Sequence, residues 1–427
     1  MTESIIPTHI DLYTPSRPGF LANVYRKGVL RALSGIREGK IILRDGDDFR
    51  QYGEITDQFP LQATVTVQHP LFYQQVLLGG SIGAGESYMA GYWKVDNLTA
   101  LLRIVLRNRM VMEHMDGSWA KLTEPLHRLI HFFHRNTRKG SRENIAAHYD
   151  LGNDFYELFL DPTLTYSSGI FESADSTLEA ASVAKYDRIC RKLDLSATDR
   201  VLEIGSGWGG FAIYAAKTYG CRITTTTISK QQYTLAKERI REAGLTDRIE
   251  ILLQDYRDLT GEYDKLVSIE MIEAVGHQFY DTFFKLCSRL LKADGMAAIQ
   301  AITIADHAFD QHKRSVDFIK RYIFPGSCIP SVTALNQSAA KVSDLRLFHI
   351  EDITPHYAKT LRVWRHNFER NLDRIRKLGY SKTFIRMWRF YLQYCEAGFE
   401  ERYIGDVQLV FSKPQNRRAP ILPELQR

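Results

Sequence analysis

The stretch Val201-Leu202-Glu203-Ile204-Gly205-Ser206-Gly207-Trp208-Gly209-Gly210 begins as an apolar run and stops abruptly in glycines, and an apolar helical pattern resumes at Phe211. A buried strand, a tight turn and a helix start follow from that order. Glycine lets the backbone take positive φ and lets a ligand approach the main chain, while the following helix presents free N–H groups. This is a turn for a nucleotide-type ligand. Gly205, Gly207 and Gly210 meet the G-x-G-x-x-G spacing of dinucleotide sites, yet the next strand, read as Cys221 to Ile228, lacks the acidic end that such sites turn toward a ribose. It ends in Thr225-Thr226-Thr227-Ile228-Ser229, followed by Lys230-Gln231-Gln232, and so offers hydroxyls and amides instead.

Strands and helices alternate around this turn. The pattern predicts strands at Asp199–Gly205, Cys221–Ile228, Ile249–Asp255, Tyr263–Glu270 and Met296–Thr303, with helices at Gly209–Tyr219, Gln231–Ala243 and Phe279–Lys292. That alternation implies an α/β doubly wound parallel sheet with ligands beyond the carboxyl ends of its strands. Gly405–Phe411 reads as a closing antiparallel strand at the sheet edge, and an insertion at about 305–342 precedes it. Nearer the N-terminus, Lys40–Arg44 and Ala63–Val67 read as strands with a hairpin turn at Arg44-Asp45-Gly46-Asp47, and Pro70–Leu78 as a helix, which makes a smaller α+β domain over 1–110. Residues 111–142 read as a basic linker, leaving 143–427 as the larger domain. Leu361, Trp364, Phe368, Leu372 and Ile375 recur at helical spacing with Arg362, Arg365, Arg370, Arg374 and Arg376 between them. The basic face of that helix is either solvated or turned to phospholipid headgroups.

A chain of 427 residues suits two domains, and its net charge of +6 is compatible with an anionic partner surface without requiring one. Five scattered cysteines without C-x-x-C spacing suggest neither a disulfide framework nor a zinc site, and fit the reducing cytoplasm. The start, Met1-Thr2-Glu3-Ser4, has no basic segment followed by an apolar run, and no apolar stretch approaches bilayer length. Membrane contact is expected to be peripheral.

Glu203–Gly210 and Thr227–Gln232 resemble the S-adenosylmethionine site of the cyclopropane-fatty-acyl-phospholipid synthase and mycolic acid synthase family. Ala147–Asp154, Leu164–Ser168, Glu270–Gly276, Tyr322–Gly326 and Tyr391–Cys395 extend the resemblance in the same order. It implies a Rossmann-like class I methyltransferase sheet with the smaller N-terminal domain in contact with lipid. The cofactor is expected at Tyr166, Ser167, Gly205, Ser206 and Gly207, with Thr227 and Gln232 near its ribose. Among the strand-end groups, Glu203 is expected at the methionine ammonium or the glycine turn, Asp255 at the adenosine and Tyr256 against the adenine. The implied partner is an unsaturated phospholipid at the inner face of the membrane, with no nucleic acid; a homodimer is left open.

Methylating an alkene leaves a carbocation, so ring closure needs a base. In the resembling family a bound bicarbonate supplies it, held by a glutamate, a histidine, a tyrosine and main chain around an isoleucine and a cysteine. Glu273, Tyr357 and Ile302 match three of these, whereas Gln300 stands for the histidine and Ser168 for the cysteine. Glutamine donates a hydrogen bond but carries no charge, which leaves the anion site open to question, and Glu396 is the alternative base. Cys395 is expected to line the acceptor pocket rather than act as a nucleophile. A methyl or methylene branch is the alternative product, and a small-molecule methyltransferase or a non-catalytic lipid-binding protein are the further alternatives.

Overall fold

The computed structural model describes residues 20–109 and 151–422. The expected basic linker at 111–142 and residues 147–150 lie outside the described residues.

The chain opens with helix α1 (Phe20–Leu33) and a four-stranded sheet of order β2-β1-β3-β4, formed by β1 (Lys40–Asp45), β2 (Asp48–Tyr52), β3 (Gln62–Val67) and β4 (Trp93–Val95). The hairpin turn expected near Gly46 joins β1 to β2, and β3 pairs with β1 in parallel. Between β3 and β4 runs α2 (Leu71–Met89), kinked at Gly80, whose φ of 52 and ψ of −131 leave helical space. Helix α3 (Leu98–Arg107) follows β4, its first turn capped where the Asn97 side chain accepts from the Ala100 N–H at 3.0 Å.

The second sheet has seven strands in the order β10-β11-β9-β8-β5-β6-β7. Its members are β5 (Arg200–Ile204), β6 (Arg222–Thr227), β7 (Ile249–Leu253), β8 (Tyr263–Ile269), β9 (Leu291–Ile304), β10 (Arg346–Asp352) and β11 (Ile404–Ser412). Strands β5 to β9 pair in parallel, and the apolar runs of β5 and of the second half of β9 are those of strands covered on both faces. The covering helices include α4 (Leu178–Leu193), α5 (Gly210–Tyr219), α6 (Lys230–Glu242) and α7 (Tyr280–Leu290). Strand order reverses beside β5, with β6 on one side and β8 on the other, so a crevice opens beyond its carboxyl end.

Two sequence expectations are corrected here. Strand β11 is antiparallel as expected, but it does not form the edge: β10 pairs with its outer side and takes that position. The expected helix through Lys292 ends at Leu290, because Leu291 and Lys292 already belong to β9.

The insertion folds as α8 (Asp306–His312), α9 (Phe318–Tyr322) and α10 (Val332–Val342). After β10 come α11 (Thr354–Arg370), α12 (Leu372–Lys377) and α13 (Lys382–Glu400), so the expected amphipathic helix is broken at Asn371. Leu361, Trp364, Phe368 and Ile375 are buried in one apolar cluster that also takes in Leu43, Val65 and Trp93 of the N-terminal sheet. At about 1.5–3 kcal/mol for each large buried side chain, this shared core holds α11 and α13 against the N-terminal unit. Ion pairs reinforce it at Arg103–Glu401, 2.6 Å, and Arg321–Glu86, 3.2 Å. Much of the arginine face is spoken for by the chain's own acids. Arg362 and Arg365 reach Glu396 at 3.1 and 3.0 Å, and Arg376 reaches Asp373 at 2.6 Å.

Candidate active site

A cavity of about 1210 Å³ opens at the crevice beside β5. All ten expected cofactor residues line it: Tyr166, Ser167, Glu203, Gly205, Ser206, Gly207, Thr227, Gln232, Asp255 and Tyr256. The turn after β5 is pinned to β6, because the N–H groups of Gly205 and Ser206 both donate to Thr226 O, at 3.1 and 2.9 Å. Gly207 has φ 49, and a Cβ built there meets nothing within 4 Å, so the main chain faces open cavity at that point. Gly210 serves packing instead: a Cβ there would come within 2.5 Å of the Tyr186 hydroxyl and 2.9 Å of Thr163 O.

The polar groups around the turn are held in place. Glu203 accepts from the Thr225 hydroxyl at 2.5 Å, and burial raises its carboxyl to about 8 against the pull of that bond and of the Lys185 charge. Thr227 donates to Gln232 Oε1 at 2.8 Å. Asp255 is bound by Arg257 at 2.6 Å, so its charge is already partnered where the adenosine was expected. Lys185, fully buried, donates to Ser167 Oγ at 2.7 Å, and burial lowers its ammonium to about 8. The open main chain at Gly207, a carboxylate at the strand end and hydroxyls at the next strand fit an amino-acid nucleoside such as S-adenosylmethionine.

Three carboxyl groups meet at the inner end of the cavity, Glu270 and Glu273 in its wall and Asp406 behind them. Glu270, at the end of β8, has φ 48, a left-handed conformation that a non-glycine residue adopts at a cost. Its Oε1 accepts from the Ser168 N–H at 2.8 Å and from Gln300 Nε2 at 2.7 Å, and its Oε2 from the Tyr357 hydroxyl at 2.6 Å. Glu273 accepts from the Ile302 N–H through Oε1, while its buried Oε2 has no partner. Burial, then the Glu270 charge, raises the Glu273 carboxyl to about 8. Asp406 accepts from Gln300 Nε2 at 3.1 Å and is pushed well above its ordinary range by burial and by the charges of Glu270 and Glu273. Burial raises the Glu270 carboxyl as well, but its hydrogen bonds from Tyr357, Ser168 and Gln300 and the Lys185 charge pull it back toward the ionised form, whereas the charges of Glu270 and Glu273 push Asp406 further up.

Sheet register explains Gln300. Residues 300 and 408 are direct partners across β9 and β11, and Gln408 Nε2 donates to Gln300 Oε1 at 3.0 Å. Lys192 in turn donates to Gln408 Oε1 at 2.7 Å. This series fixes the orientation of the Gln300 amide and aims its NH₂ at Glu270 and Asp406.

Of the expected catalytic residues, Glu273, Ile302, Tyr357 and Cys395 line the cavity. Ser168 and Gln300 are not part of its lining: both are buried against Glu270, and the Ser168 hydroxyl donates to Gly169 O at 3.0 Å. Burial pushes the Cys395 thiol far up, which keeps it neutral and suits a lining role. Glu396, the expected alternative base, is corrected: it too is absent from the lining and faces Arg362, Arg365 and Thr99. The aromatic wall is formed by Tyr166, stacked on Trp364 with centroids 5.3 Å apart, and by Tyr391, whose hydroxyl lies 2.8 Å from that of Tyr166. From there the cavity continues into the N-terminal unit, where Val29, Leu33, Ile41, Leu43 and Val65 line it. Sequence reasoning missed Lys185 and Asp406 and gave Glu270 no role of its own. An acid at the end of an apolar strand was the available signal for Glu270.

No group of His, Cys, Asp and Glu among the described residues is arranged to hold a metal ion, and no helix among them is long and apolar enough to cross a membrane. The chain is 40% identical to the tuberculostearic acid methyltransferase of Mycobacterium tuberculosis over 336 residues, 77% of this chain and 78% of that one. It is 38% identical to the cyclopropane-fatty-acyl-phospholipid synthase of Escherichia coli K12 over 359 residues, 82% of this chain and 88% of that one. Among solved structures it resembles a mycolic acid cyclopropane synthase complexed with SAH and CTAB, with 33% identity, a TM-score of 0.60 and coverage of 64% of this chain and 98% of that one. The model of the family described as mycolic acid cyclopropane synthetase matches residues 136–409. With that match over a glycine turn, a seven-stranded sheet and a buried carboxylate cluster, the chain belongs to the mycolic acid cyclopropane synthetase family of S-adenosylmethionine-dependent methyltransferases.

Proposed function

We propose that the protein transfers the methyl carbon of S-adenosylmethionine to the double bond of an unsaturated acyl chain in a phospholipid and closes it to a cyclopropane ring. The observation that carries this reading is the single cavity that joins the glycine turn, the carboxylate cluster and a long apolar lobe. A flexible hydrocarbon fits that lobe, where burial of each CH₂ contributes about 0.8 kcal/mol.

S-adenosylmethionine, when bound, supplies an electrophilic methyl, and the work of the chain is placement and proton removal. Glu203 and Gly207 hold the cofactor's polar ends. Tyr166 and Tyr391 border the acceptor, with Trp364 stacked behind Tyr166, and favour the positive charge that develops on it. The packed aromatic wall excludes water that would otherwise quench the cation. Exposed Arg109 and His307 also border the cavity and are placed to meet a headgroup, consistent with work at the inner face of a membrane.

The test is expression in a host with unsaturated phospholipids, followed by mass spectrometry of its acyl methyl esters. Gain of one CH₂ unit with ring-opening behaviour is the expected result. The same mass gain without ring-opening behaviour would assign the branched product, the reading favoured by the tuberculostearic acid relative. Unchanged acyl chains would refute a lipid acceptor.

A further inference from the structure

Three donors from distant parts of the chain converge on one carboxylate. The Ser168 N–H, the Gln300 amide and the Tyr357 hydroxyl all end on Glu270, at 2.8, 2.7 and 2.6 Å. Tyr357 is the one of the three that matches the anion site implied by the resemblance, Ser168 and Gln300 being the two positions that depart from it, and here the protein's own side chain takes all three hydrogen bonds. The Glu270 backbone is held at φ 48 to bring the carboxylate there. Such strain persists where surrounding contacts over-determine it, often at a reacting centre.

Other candidates for proton removal are less suitable. Glu273 borders the cavity, but one of its oxygens is buried without a partner, and burial and then the Glu270 charge push its carboxyl up to about 8, whereas both oxygens of Glu270 accept from donors that favour its ionised form. Asp406 is outside the lining, and burial and the neighbouring carboxyls push it well above its ordinary range. Glu396 is turned to Arg362 and Arg365. Tyr357 donates to Glu270, and the Cys395 thiol is neutral.

We propose that Glu270 is the general base of the reaction, a built-in carboxylate occupying the place of a bound anion, so that the enzyme works without bicarbonate. This rests on the alkene-alkylating reading above. In the alkylation the S–C bond breaks as the acceptor's π pair forms a C–C bond to the methyl, leaving a neutral thioether and a cation on the neighbouring acyl carbon. Glu270 takes a proton from the transferred methyl carbon, and the released C–H pair forms the last bond of the ring. The carboxylate becomes a carboxylic acid and returns its proton to solvent when the product leaves. Charge and atoms balance without a further reactant.

Two experiments on the full chain test this. The first needs no lipid: carbon-13 bicarbonate is titrated into the wild type and into Glu270→Gly, and line broadening is followed by NMR. Glycine accepts φ 48 without strain and opens a carboxylate-sized gap ringed by the same donors. Broadening with Glu270→Gly and none with the wild type is expected. Broadening with the wild type, or with neither protein, overturns the occupancy claim.

The second measures turnover of S-adenosylmethionine on vesicles of dioleoylphosphatidylglycerol in carbonate-free buffer. The wild type should retain its full rate, and Glu270→Gln should lose about 10²–10⁴-fold in kcat while binding S-adenosylmethionine as before by calorimetry. Formate or bicarbonate should restore part of the rate to Glu270→Gly. A Glu270→Gln enzyme with the parental rate, or a wild type that stops without bicarbonate, overturns the base assignment. If the anion result holds but the wild type converts no lipid, the lipid reading fails alone.

Discussion

Tyr357 donates its phenol to Oε2 of Glu270 across 2.6 Å, tying helix α11 to the end of β8. The ring is also stacked on Phe399, with centroids 4.3 Å apart, so the hydroxyl can be removed without disturbing the packing. A hydrogen bond to a charged group is worth about 1.5–3 kcal/mol. Tyr357→Phe should therefore lower kcat by about 10- to 100-fold, with unchanged cofactor affinity and a melting temperature lower by a few degrees. Steady-state kinetics with calorimetry check this; a parental kcat would mean that Tyr357 does not orient the reacting carboxylate.

Glu203 carries the pH prediction. Burial raises its carboxyl to about 8, so in the free protein it is protonated at neutral pH. A cationic ammonium binds the ionised form, so binding must release the proton. Affinity for S-adenosylmethionine should then rise with pH, by up to about tenfold per unit, and level off above about 8. Glu203→Gln should bind more weakly and with a flatter profile. Calorimetry between about pH 6 and 8 decides, and a flat wild-type profile removes Glu203 as the ammonium partner.

Glu396 is buried at 2% exposure among Thr99, Arg362 and Arg365, and it joins α13 to α3 and α11. Its role is to hold the C-terminal helices to the N-terminal unit. Glu396→Gln removes the charge from two partly exposed arginines and should cost about 1–3 kcal/mol of stability. Thermal melting should show the loss, while kcat on lipid measured well below the melting transition stays within about twofold. A large fall in kcat in a variant that melts normally would reinstate Glu396 as an acid or base.

The difference between what could and could not be read in the chain has a physical basis. Inner strands such as β5 and β9 are covered on both faces, so their apolar runs and the glycines after Ile204 were visible in order. The edge strand β10, Arg-Leu-Phe-His-Ile-Glu-Asp, is only half covered and shows no such run. The ten residues expected around the cofactor meet in one cavity because they cluster at strand ends and in turns. The Glu270 network was not legible, because Ser168, Gln300 and Tyr357 meet only after β9 pairs with β8 and α11 folds over them. Gln300 in particular looked like a weakened histidine. Its orientation is set by the register that places Gln408 opposite and Lys192 behind it. The arginines of α11 and α12 could be read as solvated or as turned to lipid until Glu396 and Glu400 of α13 were found on Arg362 and Arg365, and Asp373 of the same helix on Arg376.

The apolar lobe supplies the last prediction. Val105 on α3 lines the cavity, and Val29, Ile41, Leu43 and Val65 extend the same lining through the N-terminal unit. If the far end of the acyl chain lies there, filling the lobe should act on long chains and spare short ones. Val105→Trp adds a large side chain at a partly buried position, where the protein can tolerate the change better than at the fully buried Ile41. Displacing three or four CH₂ groups from the lobe removes about 2–3 kcal/mol of binding, which raises KM for a long unsaturated chain by about 30- to 150-fold. Phospholipids with shorter acyl tails should be converted with a nearly unchanged KM, and kcat should stay close to parental for both because the reacting groups are untouched. Competition between two chain lengths in mixed vesicles reads the ratio directly. An equal loss for both lengths would place the acyl tail outside the N-terminal unit and leave that lobe as packing space.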